Sequence, residues 1–228
     1  MSFNWTQLIP GVNEGNVHVA TLAAAAVATI GVGVIARAQL GHGQVAIIPD
    51  NKLSIRSVFE VITEFICKLS NQVIGHDGKN YAPYFAAMFF FILFNNFIGI
   101  IPGMTPATEN MNTTFAFGVF SFIAYNFIGF KKHGFRYLKQ FVGPIWWMFI
   151  IMVPIEVISN FFRPLTLALR LSNVLRGDHT VLAVFLDLVP FGIPILFYLL
   201  GFLVCIIQAF VFTLLSMVYV ALAQASDH

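Results

Sequence analysis

Residues 156–177 read EVISNFFRPLTLALRLSNVLRG, an apolar segment crossed by a regular series of polar side chains. Seven of its non-aliphatic residues recur alternately three and four positions apart; they are Glu156, Ser159, Arg163, Thr166, Arg170, Asn173 and Gly177. On an α-helix this spacing forms a single face that drifts by only about 20° per seven residues. The segment is therefore predicted to be a helix with one polar, charged face.

The chain around this segment is too apolar for a water-soluble protein. Of its 228 residues, 58% are hydrophobic and 10% are charged, whereas an average soluble domain has about 25% charged residues. A membrane-spanning helix needs roughly 20 apolar residues, so the chain has room for about five or six crossings. We expect one all-α integral membrane domain, residues 1–228, embedded in the lipid bilayer.

Five apolar stretches are predicted to cross the membrane: 17–38, 84–101, 113–130, 145–189 and 191–225. The stretch 53–69 alternates apolar and charged residues at helical spacing, which indicates an amphipathic helix in the membrane interface. Pro154, Pro164, Pro190 and Pro194 interrupt the last two stretches. The last stretch would run roughly 50 Å as a helix, so both are predicted to be long and tilted.

The densest basic cluster follows the third crossing and contains Lys131, Lys132, His133, Arg136 and Lys139. The positive-inside rule places this cluster in the cytoplasm and the loop 102–112 outside. The amino terminus is then outside and the carboxyl terminus cytoplasmic. A net charge of +2, with no broad basic face, argues against a nucleic-acid partner.

Arg170 is the strongest candidate for a functional residue. A charge at the centre of a bilayer costs at least about 2.5 kcal/mol, so charged residues there are functional by default. Long apolar sequence lies on both sides of Arg170, and a guanidinium stays charged at any accessible pH. Arg163 stands next to Pro164 near a segment boundary, so it either snorkels to an interface or belongs to the polar face.

Four further residues have two interpretations each. Glu156 is either functional or a structural partner of a neighbouring side chain, and Asp178 and His179 are either functional or a solvated turn. Gln208 is the only amide side chain between Phe191 and Ala223. It either lines a water-filled path or joins two helices by a hydrogen bond.

Three segments resemble subunit a of the F-type ATP synthases. Residues 163–171, RPLTLALRL, resemble that family's basic-Pro-x-Ser/Thr-Leu-x-Leu-Arg-Leu signature, and Glu156 stands where the family often has an acid. The run that begins with Ile207 and Gln208 is similar to its carboxy-terminal Gln-Ala-Phe helix. Residues 95–103, NNFIGIIPG, look like its Asn-x-x-Gly-x-x-Pro-Gly helix end.

The resemblance implies a stator subunit of the rotary F0 motor, in a bacterial inner membrane. Its expected partners are a c-ring of hairpin subunits, b-type peripheral stalk subunits and, indirectly, the F1 sector. Arg170 would face the ring carboxylates, and two half-channels would carry H⁺ or Na⁺ past Glu156, His179, Asp178, Gln208 and Asn173. Arg163 and Thr166 would be interface or accessory residues. No cofactor, metal site or nucleotide-binding loop is expected.

The chain departs from the family pattern at two places. After the arginine, residues 172–179 read SNVLRGDH. If this run is aligned with the family pattern without a gap, His179 takes the family's acid/base position; if the alignment has a one-residue gap, Asp178 takes it. The family often has an ionisable partner seven residues before the glutamine, where this chain has Gly201. We expect His179 to face the channel with Asp178 as its local partner, and Glu156 to line the same route.

Two other classes of protein compete with this interpretation. A self-contained secondary transporter or channel also has broken helices and charges within the membrane, although the chain shows no internal repeat. An intramembrane hydrolase would need a Ser/His or paired-Asp arrangement on facing apolar helices, and the sequence shows none.

Overall fold

The computed structural model describes residues 16–39, 55–75, 77–134, 149–188 and 192–224. They form six α-helices and a short 3-10 helix: α1 (Val17–Gln39), α2 (Ile55–Ile74), α3 (Gly78–Ile98), the 3-10 helix (Ala107–Glu109), α4 (Met111–His133), α5 (Phe149–Leu188) and α6 (Ile193–Gln224). No strand occurs in these ranges, and the all-α prediction is confirmed. Arg136, Lys139, Pro190 and the first two positions of the stretch 53–69 lie outside the described residues.

Four helices of the described chain are long and apolar enough to cross a membrane: α1, α3, α4 and α6. Helix α5 is not in this group because of its charged residues, although its 40 residues make it about 60 Å long. It packs along both α4 and α6, which places it in the membrane beside two spanning helices. The integral membrane prediction is confirmed, and α5 corresponds to the predicted stretch 145–189, although it is not among the four helices selected above within the described residues.

Helix α5 continues through Pro154 and Pro164, where the sequence predicts interruptions. Pro164 has no backbone N–H, so the carbonyl of Asn160 loses its helical donor. The Tyr125 hydroxyl of α4 donates to that carbonyl at 3.3 Å and also contacts the Asn160 side-chain oxygen. The neighbouring helix therefore supplies the hydrogen bond that the proline removes.

Helices α3 and α4 form the predicted hairpin, and the turn segment 99–110 joins them. At its base, the buried Asn96 accepts a hydrogen bond from Thr108 at 2.9 Å and donates one to the Cys205 carbonyl of α6 at 3.2 Å. The Asn110 side chain caps α4 by accepting from the backbone N–H of Asn112 at 2.9 Å. These contacts fix the turn segment to α3, α4 and α6.

Helix α2 is the predicted amphipathic helix. On one side Ile66 is buried, and Phe59 stacks on Phe90 of α3 with ring centroids 4.3 Å apart. Another side carries the exposed ion pair of Glu64 and Lys68, whose charged atoms are 2.7 Å apart. An apolar side against the bundle and a charged side outward are typical of a helix in the membrane interface.

The contacts of α4 depend on small residues. Gly118 is buried, and a methyl group added to its Cα would lie 2.5 Å from the Pro164 carbonyl oxygen of α5. On the side facing α6, the hydroxyl groups of Ser121 and Ser216 share a 2.9 Å hydrogen bond. Small and hydroxyl-bearing residues allow membrane helices to approach closely.

We expect Gly118→Ala to destabilise the protein by about 1–3 kcal/mol, because the added methyl group meets a backbone carbonyl. Thermal unfolding of the detergent-solubilised complex would measure the loss. Gly33→Ala in α1 is the matched control, since nothing lies within 4 Å of the methyl group added there. Equal unfolding temperatures for the two variants would contradict the close contact between α4 and α5.

Candidate functional site

Helix α5 turns its polar face away from the rest of the chain. Thr166, Arg170 and Asn173 are exposed, whereas Leu171 and Leu175 are each 1% exposed and belong to the core. The buried side packs against α4 and α6. Thr166, Arg170 and Asn173 therefore share one outward face, whereas Glu156 and Arg163 of the same series are half-buried.

Arg170 has no hydrogen bond and no ion pair within the described part of the chain. Its guanidinium cannot lose its charge at ordinary pH. Charged groups within a membrane are usually paired or turned toward water or protein. Within the described residues, α5 thus presents an unpaired cation beside two helices that are long and apolar enough to cross a membrane.

Arg163, by contrast, has partners inside the chain. Its guanidinium lies 3.9 Å from the Glu156 carboxylate and 5.7 Å from the ring centroid of Tyr219 on α6. Its backbone carbonyl accepts a hydrogen bond from the Thr166 hydroxyl at 2.9 Å. The structure therefore joins Arg163 and Glu156 into one pair, and Arg163 belongs to the polar face.

Asp178 occupies the space that Gly201 leaves open. A methyl group added to Gly201 of α6 would lie 2.6 Å from an Asp178 carboxylate oxygen. Gly201 is buried and Asp178 half-buried. The carboxylate of α5 thus stands at the point of α6 where the family pattern often has an ionisable side chain.

His179 pairs with an acid that the sequence analysis did not select. Its Nδ1 lies 3.2 Å from the Glu109 carboxylate, and the two side chains are 22% and 26% exposed. Gly99 makes room for the imidazole, because a methyl group there would lie 2.9 Å from His179 Cε1. In the sequence, Glu109 is notable only as an acidic residue in the turn segment. That position does not predict a contact with His179.

Glu109, His179 and Tyr198 line a cavity of about 470 Å³. Its other walls come from the turn segment, the last third of α5 and the start of α6; they include Ile101, Met104, Thr105, Thr180 and Leu186. The cavity has ample room for several waters, which occupy about 30 Å³ each in the liquid. Glu109, His179 and Tyr198, whose side chains can exchange protons, thus border a cavity that water can fill.

Gln208 lies close to the level of Arg170 along the bundle. Asp178 meets Gly201, and Arg163 lies over Tyr219, so α5 and α6 run antiparallel. Interpolation between these two contacts places Gln208 beside residues 170–173 of α5. Gln208 is 8% exposed, whereas Arg170 is exposed.

The expectation that Glu156 shares a route with Asp178 and His179 is wrong. Helix α5 is continuous between them, so Glu156 lies about 33 Å from Asp178 along the axis at about 1.5 Å per residue. Arg170 lies between the two groups. The structure therefore has two separate polar groups, one on each side of the arginine.

The chain is similar to known proteins over nearly its whole length. A family model described as ATP synthase A chain matches residues 17–221. ATP synthase subunit a of Bdellovibrio bacteriovorus is 60% identical and aligns with 100% of both chains. ATP synthase subunit a 1 of Syntrophotalea carbinolica is 41% identical across 76% of this chain and 74% of its own. ATP synthase subunit a of Geobacter sulfurreducens is 44% identical across 73% and 72%. With a family model that covers most of its residues and relatives this similar, the chain belongs to the ATP synthase A chain family.

Proposed function

We propose that the chain is the stationary, ion-translocating subunit of the F0 membrane sector of a bacterial ATP synthase. Membership of the family and the apolar helices support a place in that membrane sector, in association with other ATP synthase subunits. The observation that carries the mechanism is the exposed guanidinium of Arg170 on the outward polar face of α5, which has no hydrogen bond or ion pair among the described residues.

The anionic partner in this proposal is a rotating c-ring of hairpin subunits, each with one carboxylate within the membrane. At 4 Å and an effective dielectric constant of about 20, two opposite charges attract by about 4 kcal/mol. Arg170 therefore favours the ionised carboxylate, and a ring site that reaches it releases its ion. The same positive charge repels a cation that would otherwise cross directly.

Two access routes on opposite sides of Arg170 follow from the separation of the polar groups. His179 and Asp178 serve the route at the turn segment, and Glu156 with Arg163 serves the route at the basic end of α4. With that basic end in the cytoplasm, the first route opens outside the cell and the second inside. The amino terminus is then outside and the carboxyl terminus in the cytoplasm of an inner membrane protein.

The proton is the ion that this arrangement supports best. Histidine exchanges protons near neutral pH, and His179 lies at a cavity large enough for water. Gln208 and Asn173 lie near the level of Arg170, and their amide groups bind water at the inner ends of the two routes. The b-type stalk subunits hold the chain against the torque of the ring, and ATP is made in F1, so this chain itself is not an enzyme.

Arg170→Ala should lower proton-driven ATP synthesis by at least roughly 100-fold, as removal of a preorganised charge does in other sites, while the complex still assembles. Arg170→Lys should fail as well, because an ammonium loses its proton when desolvated and a guanidinium does not. ATP synthesis by inner membrane vesicles measures both effects.

The control for these variants is Arg37→Ala, which removes an exposed arginine at the end of α1 and should leave synthesis unchanged. Coupled synthesis at the parent rate in either Arg170 variant would contradict the proposal. Ion transport by the purified chain alone would favour a self-contained transporter instead.

His179→Ala should slow proton pumping by at least roughly 10-fold, because a general acid/base group is lost. Asp178→Asn should slow it less, since the amide still fills the space at Gly201. Proton-pumping rates across a range of pH would compare both variants with the parent. Pumping at the parent rate by His179→Ala would remove His179 from the route.

A further inference from the structure

We propose that Glu109 is the outermost proton-accepting group of the outer route and delivers protons to His179. This inference rests on the proposed function and adds a residue to it. The carboxylate is 3.2 Å from His179 Nδ1, a hydrogen-bond distance at which a proton passes directly between the two groups. Both side chains line the same cavity, so water reaches the pair from the turn segment.

The position of Glu109 does not depend on its carboxylate. Its backbone carbonyl accepts hydrogen bonds from the Ser172 hydroxyl at 2.8 Å and from the Arg176 guanidinium at 3.1 Å. Its backbone N–H donates to the Pro106 carbonyl at 3.1 Å. Main-chain contacts therefore hold the residue in place and leave its side chain for another role.

The short helix that carries Glu109 is itself anchored in the bundle. The preceding residue, Thr108, is fully buried and donates to Asn96, which in turn donates to the Cys205 carbonyl of α6. Rigid support of this kind keeps a side chain within the narrow range of distances that proton transfer needs. Contacts among the short helix, α3, α5 and α6 thus preorganise the pair of Glu109 and His179.

The transfer conserves charge and protons. A proton from the cavity binds the Glu109 carboxylate, and its O–H bond then breaks as an N–H bond forms at His179 Nδ1. The imidazolium then releases the proton of its Nε2 toward the c-ring carboxylates, which leaves a neutral imidazole with its proton on Nδ1. A flip of the imidazole ring, or exchange of its proton with water in the cavity, returns Nδ1 to the accepting state before the next transfer. Arg176, Asp178 and Tyr198 are the other ionisable groups of α5 and α6 near the pair.

The test uses the complete ATP synthase in proteoliposomes with F1 on the outer surface, so that the lumen corresponds to the outside of the cell. ATP synthesis is measured against lumen pH, while an adjusted diffusion potential holds the total driving force constant. At high lumen pH, Glu109→Gln should be at least roughly 10-fold slower than the parent, because protons are scarce and their collecting group is lost. At low lumen pH the two rates should converge, and Glu109→Asp should lie between them at every pH.

Glu64→Gln is the matched control, because it removes the same charge from an exposed position on α2 and should keep the parent profile. A Glu109→Gln enzyme with the parent profile, or one slowed by the same factor at every pH, would overturn the inference and leave Glu109 as a structural contact. Arg170→Ala in the same assay separates the two claims. Loss of synthesis there with an unchanged Glu109→Gln enzyme would refute only the role of Glu109.

Discussion

The permanent charge of Arg170 is the constraint on which the arrangement of α5 depends. A guanidinium cannot be neutralised by losing its proton, and the described chain offers it no anion. The helix presents this residue outward and turns its apolar side, with Leu171 and Leu175, into the bundle. The other polar residues of α5 divide along the helix axis on the two sides of this charge.

Inside the bundle, hydrophobic burial alone gives little preference for one helix contact over another, since lipid tails are as apolar as leucine. Specific contacts come from glycine and from hydrogen bonds, such as Gly118 against Pro164 and Ser121 with Ser216. Each interhelical hydrogen bond is worth only about 0.6 kcal/mol on average. Many such contacts together hold α4 against the two helices that carry the candidate site.

The sequence predicted the features that depend on local periodicity: the polar face around Arg170, the amphipathic α2 and the hairpin of α3 and α4. It did not identify Glu109, because its contact with His179 joins residues 70 positions apart, and no spacing rule relates them. At Gly201 the sequence left open whether the ionisable partner is missing or supplied from elsewhere, and the structure places the Asp178 carboxylate in the space that a side chain at Gly201 would fill. Glu156 was expected beside Asp178 and His179 because all three side chains are ionisable. The rise of the continuous helix instead places Glu156 about 33 Å from Asp178. The functional roles of these residues remain predictions.

The hydrogen bond from Tyr125 to Asn160 has a consequence for biosynthesis. A ribosome makes α4 before α5, so the tyrosine enters the membrane ahead of the carbonyl that Pro164 leaves without a donor. An unsatisfied carbonyl in hydrocarbon costs several kcal/mol. In the actual order of synthesis, the Tyr125 hydroxyl is already in the membrane when α5 is inserted. If α5 preceded α4 in the chain, the Asn160 carbonyl would enter the bilayer without a hydrogen-bond donor.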